Sequence, residues 1–205
     1  MKTPKDGWRS QIPAIREAQG ARRFVEFMRK PGNLYSVAGY LVEVAKDCLA
    51  IKEFHWDTFT WNGMCLLQAR NVTSVRIFEE PDWPTISGNA LRLVTKTSLK
   101  VTNDAFHAVA KHYLHEGALV QIEQEIAHPG DLFLCQILRL GRNAIQTKSY
   151  DRTLQSFENV TMPYDEITKI TFGDGYSKAA KIALMKMEME EKGTRNRTSQ
   201  RTQWR

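Results

Sequence analysis

The apolar positions along the chain change period several times, and each change marks an element. Behind Pro13, a residue suited to the first turn of a helix, Ala18, Ala21, Phe24, Val25 and Met28 recur at helical spacing until Pro31-Gly32. The pattern predicts a helix carrying Arg22, Arg23, Arg29 and Lys30 on a solvated face. From Leu34 the period falls to two, with Ala38, Tyr40, Val42 and Val44 on one side of a strand. Lys46-Asp47 reads as a turn, Leu49 and Ile51 as the next strand, and Asn62-Gly63 as a hairpin. Met64–Leu67 and Val72–Phe78 complete about five short strands, enough for a small barrel.

Pro81 and Pro84 close that unit, and a connector follows with a short helix around Asn89–Val94. Phe106, Val109, Ala110, Tyr113 and Leu114 then predict an amphipathic helix, capped by Asn103 and ended by Gly117. Strands return at Leu119–Ile126, Leu132–Leu140, Ala144–Tyr150 and Leu154–Met162. In Tyr164, Ile167, Ile170 and Phe172 strict alternation fails between the two isoleucines, so a turn or bulge is expected there. Gly173 and Gly175 supply a sharp exit, at least one of them with positive φ, and Asp174 caps a last helix. That helix is expected to use Tyr176, Ala180, Ala183, Leu184 and Met187 as its apolar face. Residues 192–205 have almost no apolar content and read as a disordered basic tail.

The two strand-rich units echo each other. Gly39, Asp47, Leu49, Lys52 and Phe54 fall on Cys135, Asn143, Ile145, Lys148 and Tyr150 at an offset of 96, and Val72 falls on Ile167 at 95. Residues 38–42, Phe59, Asn62-Gly63 and 71–76, with 119–123, Cys135, Ile137, Tyr164, Ile167-Thr168, Ile170, Phe172-Gly173 and Tyr176, are similar to uncharacterised bacterial proteins with tandem Sm-like (LSm/Hfq-type) β-barrel domains. The resemblance spans about residues 34–185 and is more specific in its second half. It implies a mainly β protein with flanking helices (α+β), built from two small Sm-like/SH3-like five-stranded barrels in tandem. The expected organisation is an N-terminal arm and helix at 1–33, a first barrel at 34–80 and a connector with a helix at 81–117. A second barrel with a C-terminal helix at 118–191 and the tail at 192–205 follow.

Charge divides the functional possibilities. Residues 1–31 carry eight Lys/Arg against three Asp/Glu, a net +5, and 192–205 carry five against none, another +5. Residues 32–191 keep sixteen basic and twenty acidic residues, a net −4, the wrong sign for a nucleic-acid groove. RNA-binding Sm rings build the turn before the last strand on a basic residue and a glycine. Gln68-Ala69 and Pro163-Tyr164 stand at those places here. The expectation is therefore a non-enzymatic interaction or oligomerisation module, binding a protein partner or itself through open barrel edges. Trp56, Phe59 and Trp61 are candidates for its partner surface. The alternative is an RNA- or DNA-binding protein that uses its basic termini, through Arg195, Arg197, Arg201, Trp204 and Arg205.

Catalytic and metal signals are faint. His107, His112 and His115 share the middle helix, but no carboxylate or cysteine is spaced to complete a metal set, so they read as exposed histidines. Glu123 with Glu125, and Asp165 with Glu166, are paired carboxylates without a nucleophile, and read as solvated charge. No cofactor is expected. Three cysteines without metal spacing, no secretory leader and no apolar run of membrane length point to the cytoplasm.

Overall fold

The computed structural model describes residues 10–29, 36–55, 60–79, 106–124, 126, 128 and 131–202, with residue 157 and 191–202 described by backbone alone. Helix α1 (Ile12–Gly20) precedes strands β1 (Phe24–Arg29), β2 (Ser36–Val44), β3 (Cys48–His55), β4 (Thr60–Gln68) and β5 (Val72–Ile77). Helix α2 (Phe106–Tyr113) precedes β6 (Leu119–Glu123), β7 (Leu132–Leu140), β8 (Ala144–Tyr150), β9 (Ser156–Pro163) and β10 (Lys169–Phe172). Helix α3 (Gly175–Thr202) ends the chain's described part. The protein is mainly β with flanking helices, an α+β arrangement. Its ten strands form one open antiparallel sheet in the order β5-β1-β2-β3-β4-β10-β6-β7-β8-β9.

That order contains the same path twice: 5-1-2-3-4 in the first half and 10-6-7-8-9 in the second. Register repeats as well as order. Leu41 pairs with Ile51 in the first half, and Ile137 with Thr147, each 96 further, in the second. The ladder irregularity between Leu41 and Glu43 recurs between Ile137 and Arg139. Ser74 opposite Met28 becomes Lys169 opposite Glu123 at an offset of 95. Gly39 opposite Val25 becomes Cys135 opposite Val120, so the expected equivalence of Gly39 and Cys135 holds in the ladders. The bulges in β2 and β7 bend and twist each half at the same place.

The halves share a core. Ile15 and Ala18 of α1 seal one cluster over Val25, Phe27, Leu49 and Ile51. Phe106, Val109 and Ala110 of α2 lie in a second cluster that takes Ala50 and Leu66 from the first half and Val120, Ile122 and Ile170 from the second. The seam between halves is the antiparallel pair β4–β10, with Lys169 opposite Leu67 and Phe172 opposite Met64.

Five expectations are corrected. The first helix stops at Gly20, Arg22 turns the chain with φ 52°, and Phe24–Arg29 is a strand. Val25, Phe27 and Arg29 alternate into the buried side, a period-two reading that short apolar runs share with a helical one. Asn62-Gly63 is not a hairpin, because the β3–β4 ladder continues through it to His55 opposite Thr60. Gly63 spends its positive φ of 79° on close approach: a Cβ there would run into the Phe172 carbonyl and the Asp174 amide. The middle helix ends at Tyr113, so Gly117, whose N–H donates to the Ile137 carbonyl at 2.7 Å, serves the sheet. The tail is helical through Thr202, since Lys, Arg, Met, Glu and Gln propagate a helix once it is started. Of that helix's expected apolar face only Ala180 is buried, while Tyr176 and Met187 are exposed. Asn103 and the 89–94 helix lie outside the described residues.

Candidate functional site

Four charged side chains meet at the seam. Lys169 on β10 points its Nζ at Glu53 Oε1 on β3, 2.5 Å away, and at Glu123 Oε1 on β6, 3.3 Å away. Arg29 on β1 closes the group with an Nη1–Oε2 contact to Glu123 of 2.9 Å, and the Asn62 amide donates to the other Glu53 oxygen at 3.1 Å. All four charged side chains are at most 16% exposed. Burial alone would neutralise such groups. Burial pulls the Lys169 ammonium down, but Glu53 and then Glu123 outweigh it and hold the group well above the ordinary lysine value. Burial pushes Glu123 up, and the charges of Lys169 and Arg29 overcome that and hold it below the ordinary carboxylate value. Lys169 is therefore held in its cationic form and Glu123 in its anionic form, each against the pull of burial. A permanently protonated lysine is no nucleophile, and an ionised carboxylate between two cations is no general acid near neutrality.

A cleft of about 320 Å³ opens beside the cluster, with Arg29, Glu53, Asn62, Gln121, Glu123 and Lys169 in its wall. It adjoins a wider one of about 760 Å³ walled by Phe133, Leu134, Tyr150, Asp151, Arg152 and Tyr176. His55, Asn62, Gln121, Asp131 and Leu132 belong to both. Gln121 is oriented by donating to Asp174 Oδ1 at 2.7 Å. Asp174 is the N-cap of α3: its Oδ1 accepts the Ser177 N–H at 2.8 Å and its Oδ2 the Ser177 hydroxyl at 2.6 Å, as the sequence led one to expect. Gly173, with φ 66°, makes the turn into that cap.

The residues singled out from sequence are not brought together. Arg195, Arg197 and Arg201 lie on the helical backbone of α3, not on a disordered tail. Trp204 and Arg205, and likewise Trp56 and Phe59, lie outside the described residues. Trp61 is half-buried in an aromatic cluster, stacked on Tyr40 at 5.8 Å and edge-on to Phe54 at 5.4 Å. His107 leans on the Tyr164 ring and His112 on Tyr113. Among the described residues no group of three or more His, Cys, Asp or Glu is arranged to hold a metal. All three cysteines are buried free thiols, and burial first of all pushes each upward.

Sequence reasoning missed the buried ions. Glu123 read as solvated charge and Arg29 as helix decoration, yet both are paired. A signal was present in Lys169, which stands between Ile167-Thr168 and Ile170 in a strand too apolar to face water. Its partners Glu53 and Glu123 sit 116 and 46 residues away, a separation no local pattern carries. No family model, curated protein or solved structure matches this chain.

Proposed function

We propose that this protein is a non-enzymatic module of two Sm-like barrels in tandem that associates with further copies of itself through the open edges of its sheet. The seam carries the reading. Inside the chain, the fourth strand of the first half, β4, pairs with the fifth strand of the second, β10. The outer strands β9 and β5 are the fourth strand of the second half and the fifth of the first, so the molecule ends in the two partners of the joint it contains. Applying the repeat offset to the seam register sets Ser74 of one copy opposite Met162 of the next, Val75 opposite Thr161, Arg76 opposite Val160 and Ile77 opposite Asn159. Unpaired strand edges seek such partners, and an incoming β9 would displace the Gln11 side chain, whose Oε1 accepts the outward Val75 N–H at 3.1 Å. A contact between two different edges adds copies head to tail. The buried free thiols support a reducing, cytoplasmic setting.

The ion cluster supports a fixed direction of assembly. At the equivalent places of the outer joint Lys169, Glu53 and Glu123 become Ser74, Ser149 and Met28, which are uncharged. A foreign β5 that displaced β10 would leave Glu53 and Glu123 buried without the lysine, a costly state. The test is molar mass by light scattering across a concentration series. The expected result is a mass above one chain that falls on dilution. A single-chain mass at every concentration sinks the reading.

The alternative, nucleic-acid binding through the termini, rests on the +5 at each end and the three arginines along α3. It predicts that a short RNA or DNA binds the full chain, that binding weakens steeply with salt, and that ending the chain at Lys192 removes most of it.

A further inference from the structure

We propose that the wider cleft on the second half receives arginine side chains from the C-terminal basic stretch of a second copy. The idea rests on the self-association reading and adds a second contact to it. The repeat itself shows that something is missing on this face. In the first half five rings close it: Phe24 meets Tyr40, Phe54 and Phe78 edge-on at 5.5, 5.9 and 5.6 Å, and Trp61 packs on Tyr40 and Phe54. At the offsets of 95 and 96 the same positions in the second half hold Leu119, Gln136, Tyr150, Gly173 and Ser156. One ring remains of five, and Tyr150, with Leu134 at the place of Ala38, stands in the wall of the open cleft.

The chemistry of the opening fits a planar cation. The four buried ions cancel in pairs, which leaves Asp131 and Asp151 against Arg152 around the mouth. Asp151 is committed to the Thr153 and Gln155 amides at 2.8 and 3.0 Å. No hydrogen bond or ion pair is seen at the Asp131 carboxylate among the described residues. Three rings of this protein already have a cation beside them: Lys52 lies 5.5 Å from Trp61, Arg76 4.6 Å from Phe78 and Lys148 5.5 Å from Tyr150. Tyr176 is 52% exposed in the cleft wall. A guanidinium stacked there would also reach a carboxylate, the pairing for which its planar fork is suited.

The occupant comes from another copy because of the helix. Tyr176 lies in the first turn of α3, and at about 1.5 Å per residue Arg195 and Arg201 lie roughly 28 and 38 Å further along it. While the helix is intact its own arginines stay away from its own cleft. The stretch 192–205, with five basic residues and no acid, is the most basic run in the chain.

The experiment uses the full-length chain with Arg195, Arg197, Arg201 and Arg205 all changed to Gln as receptor, and a fluorescein-labelled peptide of residues 192–205 as probe. The expected result is a saturable rise in anisotropy at low salt. Asp131→Asn or Tyr176→Ala in the receptor should weaken it at least tenfold, and a peptide with Gln for every Arg should not bind. Absence of binding overturns the proposal, and so does equal binding by both cleft variants. The receptor's own molar mass reports edge pairing separately, because the Gln changes leave β5 and β9 intact. A receptor that associates but ignores the peptide therefore refutes the cleft and spares the edges.

Discussion

Lys169 has the most to lose from a change of one side chain. Its charge is offset by Glu53 and Glu123, and Arg29 depends on Glu123 in turn. Lys169→Met leaves two carboxylates buried with one cation, so a loss of about 3–5 kcal/mol is expected in urea unfolding. The double change Lys169→Met with Glu53→Leu should recover part of that loss, because the pair goes together. Acid tests the same cluster. Glu123 has its carboxyl lowered in the folded state, so its contribution is complete above the unfolded value near 4.5 and is lost as pH falls through the folded one. Lys169 has the opposite sign: its value is raised, so its contribution is complete below about 10.5 and fades only at higher pH. Urea midpoints of the native chain should therefore be flat near neutrality and fall below pH 4.5. In Glu123→Gln the acid fall should be shallower. An unchanged acid limb would contradict the account of Glu123. The glycines separate strain from contact. Gly173→Ala meets open space at φ 66° and should cost about 1 kcal/mol, whereas Gly63→Ala adds a collision with Phe172 and Asp174 and should cost more.

At the scale of elements, strands with regular alternation were legible and those under other constraints were not. β2, β3, β7 and β8 announced themselves, and the break between Ile167 and Ile170 appeared where β10 begins after a turn. β1 did not, because Phe24, Val25 and Met28 satisfy a helical spacing while Val25 and Phe27 satisfy a strand; only pairing with β2 and β5 on both sides decides between them. Asn62-Gly63 failed for a similar reason: a positive φ serves a bulge as well as a turn. The N-cap was readable since Asp174 acts locally, and Asp174→Ala should lower stability by about 1 kcal/mol and reduce the far-ultraviolet helical signal. The register of the outer joint is also an element-scale prediction. Val75→Cys and Thr161→Cys in one chain should yield a disulfide between copies on mild oxidation, as directly opposed residues are close enough for one. Val75→Cys with Val160→Cys, one residue out of register, should not. Equal cross-linking by both pairs would show that the register is wrong.

For the whole molecule the repeat was the feature that sequence carried furthest. The offsets of 96 and 95 were visible in a handful of residues, and the ladders extend them over every strand of both halves. The seam was invisible, since it joins β4 to β10 across about a hundred residues and its ions have no counterpart in the other copy of the repeat. The cleft was hidden likewise: it exists through what the second half lacks relative to the first. Self-association through unlike edges makes one demand that no other mode of assembly shares. Val75→Pro blocks the β5 edge and leaves β9 open, while Thr161→Pro blocks β9 and leaves β5 open, since both residues point their N–H away from the internal ladder and a proline cannot donate one. Light scattering on each variant alone, and then on an equimolar mixture of the two, tests this directly. Each alone should have the mass of one chain, and the mixture should form a dimer and nothing larger. A mixture that stays at the mass of one chain, or a variant that still associates by itself, would contradict head-to-tail pairing of β9 with β5.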